Sequence, residues 1–133
     1  MRLQSIETRN TYTDELKKRG IKDKEYGVLT NIGYARTGMD AKQLKTYKGL
    51  GKHHNIRDNM TSTEILLTQL QEDTSKNLMV DKNVAGFNEI IQCVEKGAQV
   101  AQKTKAVIED ITGKPVISNQ NSLTEKQKKR LPS

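Results

Sequence analysis

The fold is decided by residues 83–112, which read NVAGFNEIIQCVEKGAQVAQKTKAVIEDIT. Apolar side chains recur along this stretch at alternating steps of three and four residues, the heptad spacing of a helix that buries one stripe. The stripe consists of Val84, Phe87, Ile91, Val94, Ala98, Ala101 and Ile108. Asn83 is predicted to cap the N-terminus of this helix, because its side chain can accept a hydrogen bond from a free amide of the first turn. About 29 residues at about 1.5 Å each make a rod of roughly 40 Å.

Two partners are open for this stripe, which we call the seam. Small residues at Gly86, Gly97, Ala98 and Ala101 allow another helix to approach closely. The partner is either a preceding helix of the same chain or the equivalent helix of a second copy. The two alternatives do not exclude each other.

The preceding helix is predicted to begin at Thr61. Thr61-Ser62-Thr63-Glu64 has the pattern of a capping box, in which the hydroxyl and the carboxylate each accept a hydrogen bond from the other residue's amide. The apolar residues Ile65, Leu66 and Leu70 mark its predicted buried face, with Leu67 near the edge. A turn is expected at residues 81–83.

Three further helices are predicted before it, over residues 1–19, 23–36 and 41–48, with Gly20 as the glycine that ends the first and Asp40 as the N-cap of the third. The predicted fold is therefore all-α: a bundle of about five helices, in which a long C-terminal helix packs on the preceding one. Residues 1–115 form the predicted domain, because Gly113 and Pro115 end the last helix. Residues 116–133 are predicted to be a polar linker and a flexible basic tail.

Basic residues are concentrated in the third predicted helix and in the segment that follows it, before Thr61. Lys42, Lys45 and Lys48 follow one another in steps of three, so a helix would place them on one face. Gly49 and Gly51 break the helix, and four more residues follow: Lys52, His53, His54 and Arg57. Residues 41–57 contain no acidic residue. This stretch is either a solvated surface or a contact for phosphates or for an acidic partner.

The same region resembles the C-terminal half of the DNA-damage-inducible protein D family. The resemblance runs from about residue 15 to about residue 115 and follows a long ordered pattern. The matching residues are Tyr34, Gly38, Asp40, Lys42, Lys48, Gly49, Leu50, Ile56, Asp58, Met60, Ser62, Thr63, Glu64 and Ile65. In that family the region follows a BRO-type N-terminal domain of the kind found in phage antirepressors. The present sequence shows no resemblance to that domain, so we expect either a stand-alone version or a fragment.

The resemblance implies a non-enzymatic regulator in the DNA-damage response or in phage regulation. Such a protein would bind a protein–DNA assembly, for example a recombinase filament or a repressor. Two alternatives stay open: a sequence-independent nucleic-acid-binding module that uses the basic stretch, and a structural oligomerisation domain, such as a homodimer, that uses the seam.

Composition and sequence motifs limit the functional classes to which the protein is expected to belong. The chain has 133 residues and a net charge of +7, which favours anionic partners. Aromatic residues make up only 4%, which argues against an RNA-binding sheet of stacked aromatics. No phosphate loop, dinucleotide fingerprint or Cys-x-x-Cys occurs, so we expect neither an enzyme nor a cofactor.

His53 and His54 are adjacent and have no third histidine to complete a metal site, so no metal is predicted. Cys93 is the sole cysteine, and the sequence contains no signal peptide and no apolar run of membrane-spanning length. These features predict a cytoplasmic protein that does not contact a membrane.

Overall fold

A computed structural model of the protein describes residues 2–35 and 38–123. These ranges contain five α-helices and no strand, which confirms the all-α prediction. The helices are α1 (Arg2–Lys18), α2 (Asp23–Ala35), α3 (Ala41–Tyr47), α4 (Ser62–Lys82) and α5 (Phe87–Thr112), with a 3₁₀ turn at Arg57–Asn59 between α3 and α4.

Helices α4 and α5 form the centre of the bundle. The link between them is short, so α5 runs back along α4 and Gly97 lies against Gln71 and Ser75. The seam residues Val94, Ala98 and Ala101 are buried. The long helix thus packs on the preceding one, as the sequence predicted, and these three seam residues are buried within one molecule.

The N-terminus of α5 was predicted wrongly. Asn83 does not cap α5; it ends α4 in the left-handed conformation (φ 47°) and donates its backbone N–H to Met79 and Val80. Asparagine adopts the left-handed conformation more readily than most residues. The same residue type can therefore end a helix as well as cap its N-terminus. The helix begins at Phe87, after Gly86, and the Glu89 carboxylate accepts a 2.9 Å hydrogen bond from the Ala85 amide.

The buried stripe of α5 is consequently turned relative to the predicted seam. Val84 is buried, but it lies in the link before the helix. Phe87 and Ile91 are half-buried at the edge of the core, and Ile90 and Cys93 take the central positions.

The buried face of α4 also differs from the prediction. Leu66 is 51% exposed, whereas Leu67 and Met79 are buried. Between them, polar Gln71 and Ser75 face α5, and the Gln71 amide donates a 2.9 Å hydrogen bond to the Ser75 hydroxyl. Because these positions are polar, a search for apolar residues cannot find this face.

Helices α1 and α2 complete the core. Gly20 ends α1 with φ +90°, and the Ile21 amide returns to the Leu16 carbonyl at 3.1 Å, the predicted glycine C-cap. Tyr12, Leu16 and Leu29 pack with residues of α4 and α5 in one cluster. No helix in the described ranges combines the length and the apolar content that crossing a bilayer requires.

The buried Tyr12 should make the domain sensitive to alkali. Burial raises the pKa of its hydroxyl to about 12, compared with an ordinary value of 10.0. As the pH rises, the unfolded chain loses the Tyr12 hydroxyl proton at a lower pH than the folded protein does. The contribution of this difference to the free energy of unfolding is therefore complete below pH 10 and is lost between pH 10 and about 12. Over that pH interval, the free energy of unfolding should fall by roughly 1–2 kcal/mol less in the Tyr12→Phe variant than in the parent. Urea unfolding at both pH values measures this difference, and equal losses in the two proteins would contradict it.

Candidate functional site

The site is built on α3, a seven-residue helix with a strong N-cap. Asp40 accepts a hydrogen bond from the Gln43 amide at 2.8 Å, and the Gln43 side chain accepts one from the Asp40 amide at 2.9 Å. The predicted cap is thus present as a full capping box. After Lys48 the chain turns at Gly49 (φ +68°) and enters residues 49–58, which we call the groove loop.

An open groove of about 360 Å³ lies between this loop and helices α2 and α3. We call it the basic groove. Its lining residues are Thr30, Tyr34, Ala41, Lys45, Lys52, His53, His54, Asn55, Ile56 and Arg57. None of them carries a carboxylate. The groove therefore gathers five of the seven predicted binding residues on one surface that no carboxylate lines.

Hydrogen bonds inside the loop fix two of these residues. Lys45 reaches across the loop and donates to the Lys52 carbonyl at 3.2 Å. The Gly51 amide donates to Nδ1 of His54 at 2.9 Å, and the His54 amide donates to the Gly51 carbonyl at 3.1 Å. Since Nδ1 accepts a hydrogen bond, the neutral ring carries its proton on Nε2 and can act as a donor there.

Arg57 lines the groove, but it is not the surface cation that the sequence suggested. Its two terminal nitrogens bond both oxygens of the Glu72 carboxylate, at 3.0 and 3.1 Å. Glu72 is buried, and Arg9 of α1 donates to the same carboxylate at 2.8 Å. A forked arginine–carboxylate pair of this kind has a fixed geometry. Arg57 therefore attaches the groove loop to α4.

The predicted shared face of Lys42, Lys45 and Lys48 is corrected by the structure. Lys42 is exposed and lies outside the groove, Lys45 is half-buried beside it, and Lys48 is only 1% exposed. A step of three residues falls about 60° short of a full turn, so Lys42 and Lys48 point about 120° apart. Lys48 is thus turned into the protein and takes no part in a basic surface.

The Lys48 ammonium is buried and has three hydrogen-bond partners. It donates to Glu64 at 2.7 Å and to the carbonyls of Ser118 and Gln120 at 2.8 and 3.3 Å. These bonds use all three of its N–H donors. Glu64 also completes the predicted capping box of α4, where it accepts a 2.8 Å hydrogen bond from the Thr61 amide.

Residues 116–123 lie on the domain, and the predicted boundary at residue 115 is corrected accordingly. We call this segment the strap. Val116 is buried, and the strap bonds Glu64, Lys48 and Asn59. Polar composition suggested a linker, but the strap satisfies polar groups that helix ends leave open. The tail residues Lys126, Lys128, Lys129 and Arg130 lie outside the described residues.

The described ranges contain no cluster that could bind a metal ion. No three His, Cys, Asp or Glu side chains there come close enough to hold a metal ion. Cys93 is buried, and burial raises the pKa of its thiol, which opposes thiolate chemistry.

Comparison with protein families shows a match to a known domain. A sequence profile described as the DinD C-terminal domain matches residues 1–128. Searches of curated proteins and of solved structures gave no significant match. The profile covers nearly the whole chain, so the protein belongs to the DinD C-terminal domain family, and that membership links it to DNA damage.

Proposed function

We propose that this domain is a non-enzymatic regulator of the DNA-damage response that binds a protein–DNA assembly, such as a recombinase filament or a DNA-bound repressor. In this proposal the basic groove contacts DNA phosphates. The observation that carries it is the set of lining residues, which brings Lys45, Lys52, His53 and His54 together without any carboxylate.

The chemistry of the groove suits a phosphate backbone. Lysine ammonium groups and imidazole N–H groups are donors for phosphate oxygens, and such contacts position a protein without reading base sequence. Lys52 and His53 are exposed and available to a ligand. The net charge of +7 adds long-range attraction toward an anionic partner.

The small size of the groove favours an assembly over bare DNA. Its two lysines can neutralise about two phosphates, which corresponds to a salt slope of about −1.8 on duplex DNA and about −1.4 on a single strand. Specific complexes commonly make about six or more phosphate contacts. The groove alone would therefore bind DNA weakly, and a protein component would supply the remaining affinity.

The oligomerisation alternative requires a different surface from the predicted seam. Val94, Ala98 and Ala101 are buried within the molecule, so they are not available to a second copy. Exposed apolar residues do occur near the end of α5, at Val107 and Ile111. A dimer would have to use positions such as these.

Charge reversal in the groove tests the proposal. The Lys45→Glu/Lys52→Glu variant should bind recombinase-coated single-stranded DNA at least about tenfold more weakly than the parent at low salt, because two phosphate contacts become repulsive. Fluorescence anisotropy measures binding to labelled single-stranded DNA, bare and recombinase-coated, over a salt series. The coated strand should bind more tightly than the bare one.

The matched control is Lys103→Glu/Lys114→Glu. It makes the same change in net charge at two exposed lysines that do not line the groove. We expect this control to stay within about threefold of the parent, through long-range effects alone. Equal losses in the two variants, or no binding of the parent to either probe, would refute the proposal.

A further inference from the structure

We infer that the strap positions the groove loop for binding, with Asn59, Asn121 and Ser122 as positioning residues. The strap is attached to both ends of the loop that supplies most of the groove lining. The consequence for binding rests on the proposed function. The attachment itself is a property of the free protein and can be measured there.

The first attachment is at the start of the groove loop. The Asn121 side chain donates to the Lys48 carbonyl at 2.8 Å, one residue before the turn at Gly49. In return, the Lys48 ammonium donates to the carbonyls of Ser118 and Gln120. The Asn121 side chain also accepts the Leu123 amide at 3.1 Å, which holds it in place. Strap and loop therefore bond each other in both directions.

The second attachment is at the end of the loop. The Ser122 amide donates to the Asn59 side-chain oxygen at 2.8 Å, and the Asn59 side-chain nitrogen donates to the Asn55 carbonyl at 2.8 Å. Asn59 is buried, and Asn55 lines the groove. A continuous chain of hydrogen bonds thus runs from the strap through Asn59 into the groove wall.

The strap is in turn fixed to the central helices. The Val116 amide donates to Glu109 of α5 at 2.9 Å and lowers the pKa of that carboxyl. The Ser118 amide donates to Glu64 of α4 at 3.3 Å. The loop is therefore connected at both ends, through the strap, to the most extensive helix contact in the protein.

This arrangement matters because the loop has little regular structure of its own. Its internal bonds are mainly the Gly51–His54 pair and the Asn55–Asp58 turn, with Arg57 attached to Glu72. Fixing both ends lowers the number of conformations that the loop can adopt. A groove that is already ordered loses less entropy when a phosphate backbone binds.

The test uses two variants at one position. Ser122→Pro removes the amide that bonds Asn59, whereas Ser122→Ala keeps it. Hydrogen exchange of the Gly51 and His54 amides in the free protein reports loop opening, and exchange in α5 reports global stability. Ser122→Pro should speed exchange of the two loop amides roughly three- to tenfold, the equivalent of one lost hydrogen bond. Ser122→Ala should leave both regions unchanged.

A second variant removes the Asn121 bond to the Lys48 carbonyl at the other attachment without a backbone change. Asn121→Ala should also speed loop exchange and should weaken binding to recombinase-coated single-stranded DNA severalfold, as should Ser122→Pro. The inference is overturned if loop exchange is the same in Ser122→Pro and Ser122→Ala, if loop and α5 amides accelerate together, or if DNA affinity is unchanged while the loop opens. Failure of the parent protein to bind either DNA probe refutes the proposed function instead, and the exchange data still decide whether the strap orders the loop.

Discussion

Replacing Lys48 with methionine is expected to lower the free energy of unfolding by about 3–5 kcal/mol, the usual cost of removing one partner from a buried ion pair. Methionine keeps the length and the apolar stem of lysine but has no ammonium group. Glu64 would then be left buried without its cation, and the carbonyls of Ser118 and Gln120 would lose a donor. The cost comes from leaving these groups buried without partners. The intact ion pair adds little net stability, because removing its two charges from water offsets much of their attraction.

Urea unfolding followed by circular dichroism measures this loss. Lys42→Met is the matched control: it makes the same substitution at an exposed lysine of α3 and should change stability by no more than about 0.5 kcal/mol. Adding Glu64→Gln to Lys48→Met should recover part of the loss, because the amide removes the buried charge and keeps an acceptor for the Thr61 amide. A Lys48→Met protein as stable as the control would show that the pair is not buried in solution.

Lys48 shows where sequence reasoning stops. Its spacing from Lys42 and Lys45 suggested a solvated or phosphate-binding face, which is the usual environment of lysine. Its hydrogen-bond partners come from other elements. They are the Glu64 carboxylate of α4 and the carbonyls of Ser118 and Gln120, which lie 70 and 72 residues further along the chain. No local pattern connects residues so far apart. The strap was missed for the same reason, since its polar residues resemble those of a linker.

Local signals, in contrast, predicted the helix ends well. The caps at Asp40 and Thr61 and the C-terminal glycine at Gly20 depend on residues within a few positions of each other, and the structure has all three. Asn83 failed because asparagine can cap a helix at either end. Tertiary packing decides which end asparagine caps. Here Val84, which lies in the link between α4 and α5, is buried in the core.

The basic groove was predictable in part. Lys52, His53 and His54 are neighbours in the chain, so their clustering follows from sequence. The wall that Thr30 and Tyr34 contribute depends on how α2 packs beside the loop, and composition gives no sign of it. Arg57 was assigned to the right surface, but its partner Glu72 is buried in the middle of α4, where the polar composition of residues 72–76 wrongly suggested an exposed segment.

Replacing Gly97 with alanine is expected to destabilise the protein by about 3 kcal/mol, near the upper end of overpacking costs. A methyl group at this position would collide with the Ser75 hydroxyl and lie 2.6 Å from the Gln71 carbonyl oxygen. The carbonyl belongs to the backbone of α4 and cannot rotate away, so the two central helices would have to separate. Alanine favours a helix over glycine by about 1 kcal/mol, which offsets only part of this cost. Thermal or urea unfolding measures the net loss.

Gly27→Ala is the matched control, because it makes the same substitution inside α2 where an added Cβ meets no atom within 4 Å. There the helix preference acts alone, and we expect a gain of about 0.5–1 kcal/mol. The two variants should therefore change stability in opposite directions, although residue type and secondary structure are the same. If Gly97→Ala also stabilised the protein, α4 and α5 would have to be farther apart in solution than the Gly97 contact requires, and the buried seam of Val94, Ala98 and Ala101 would need to be reassigned.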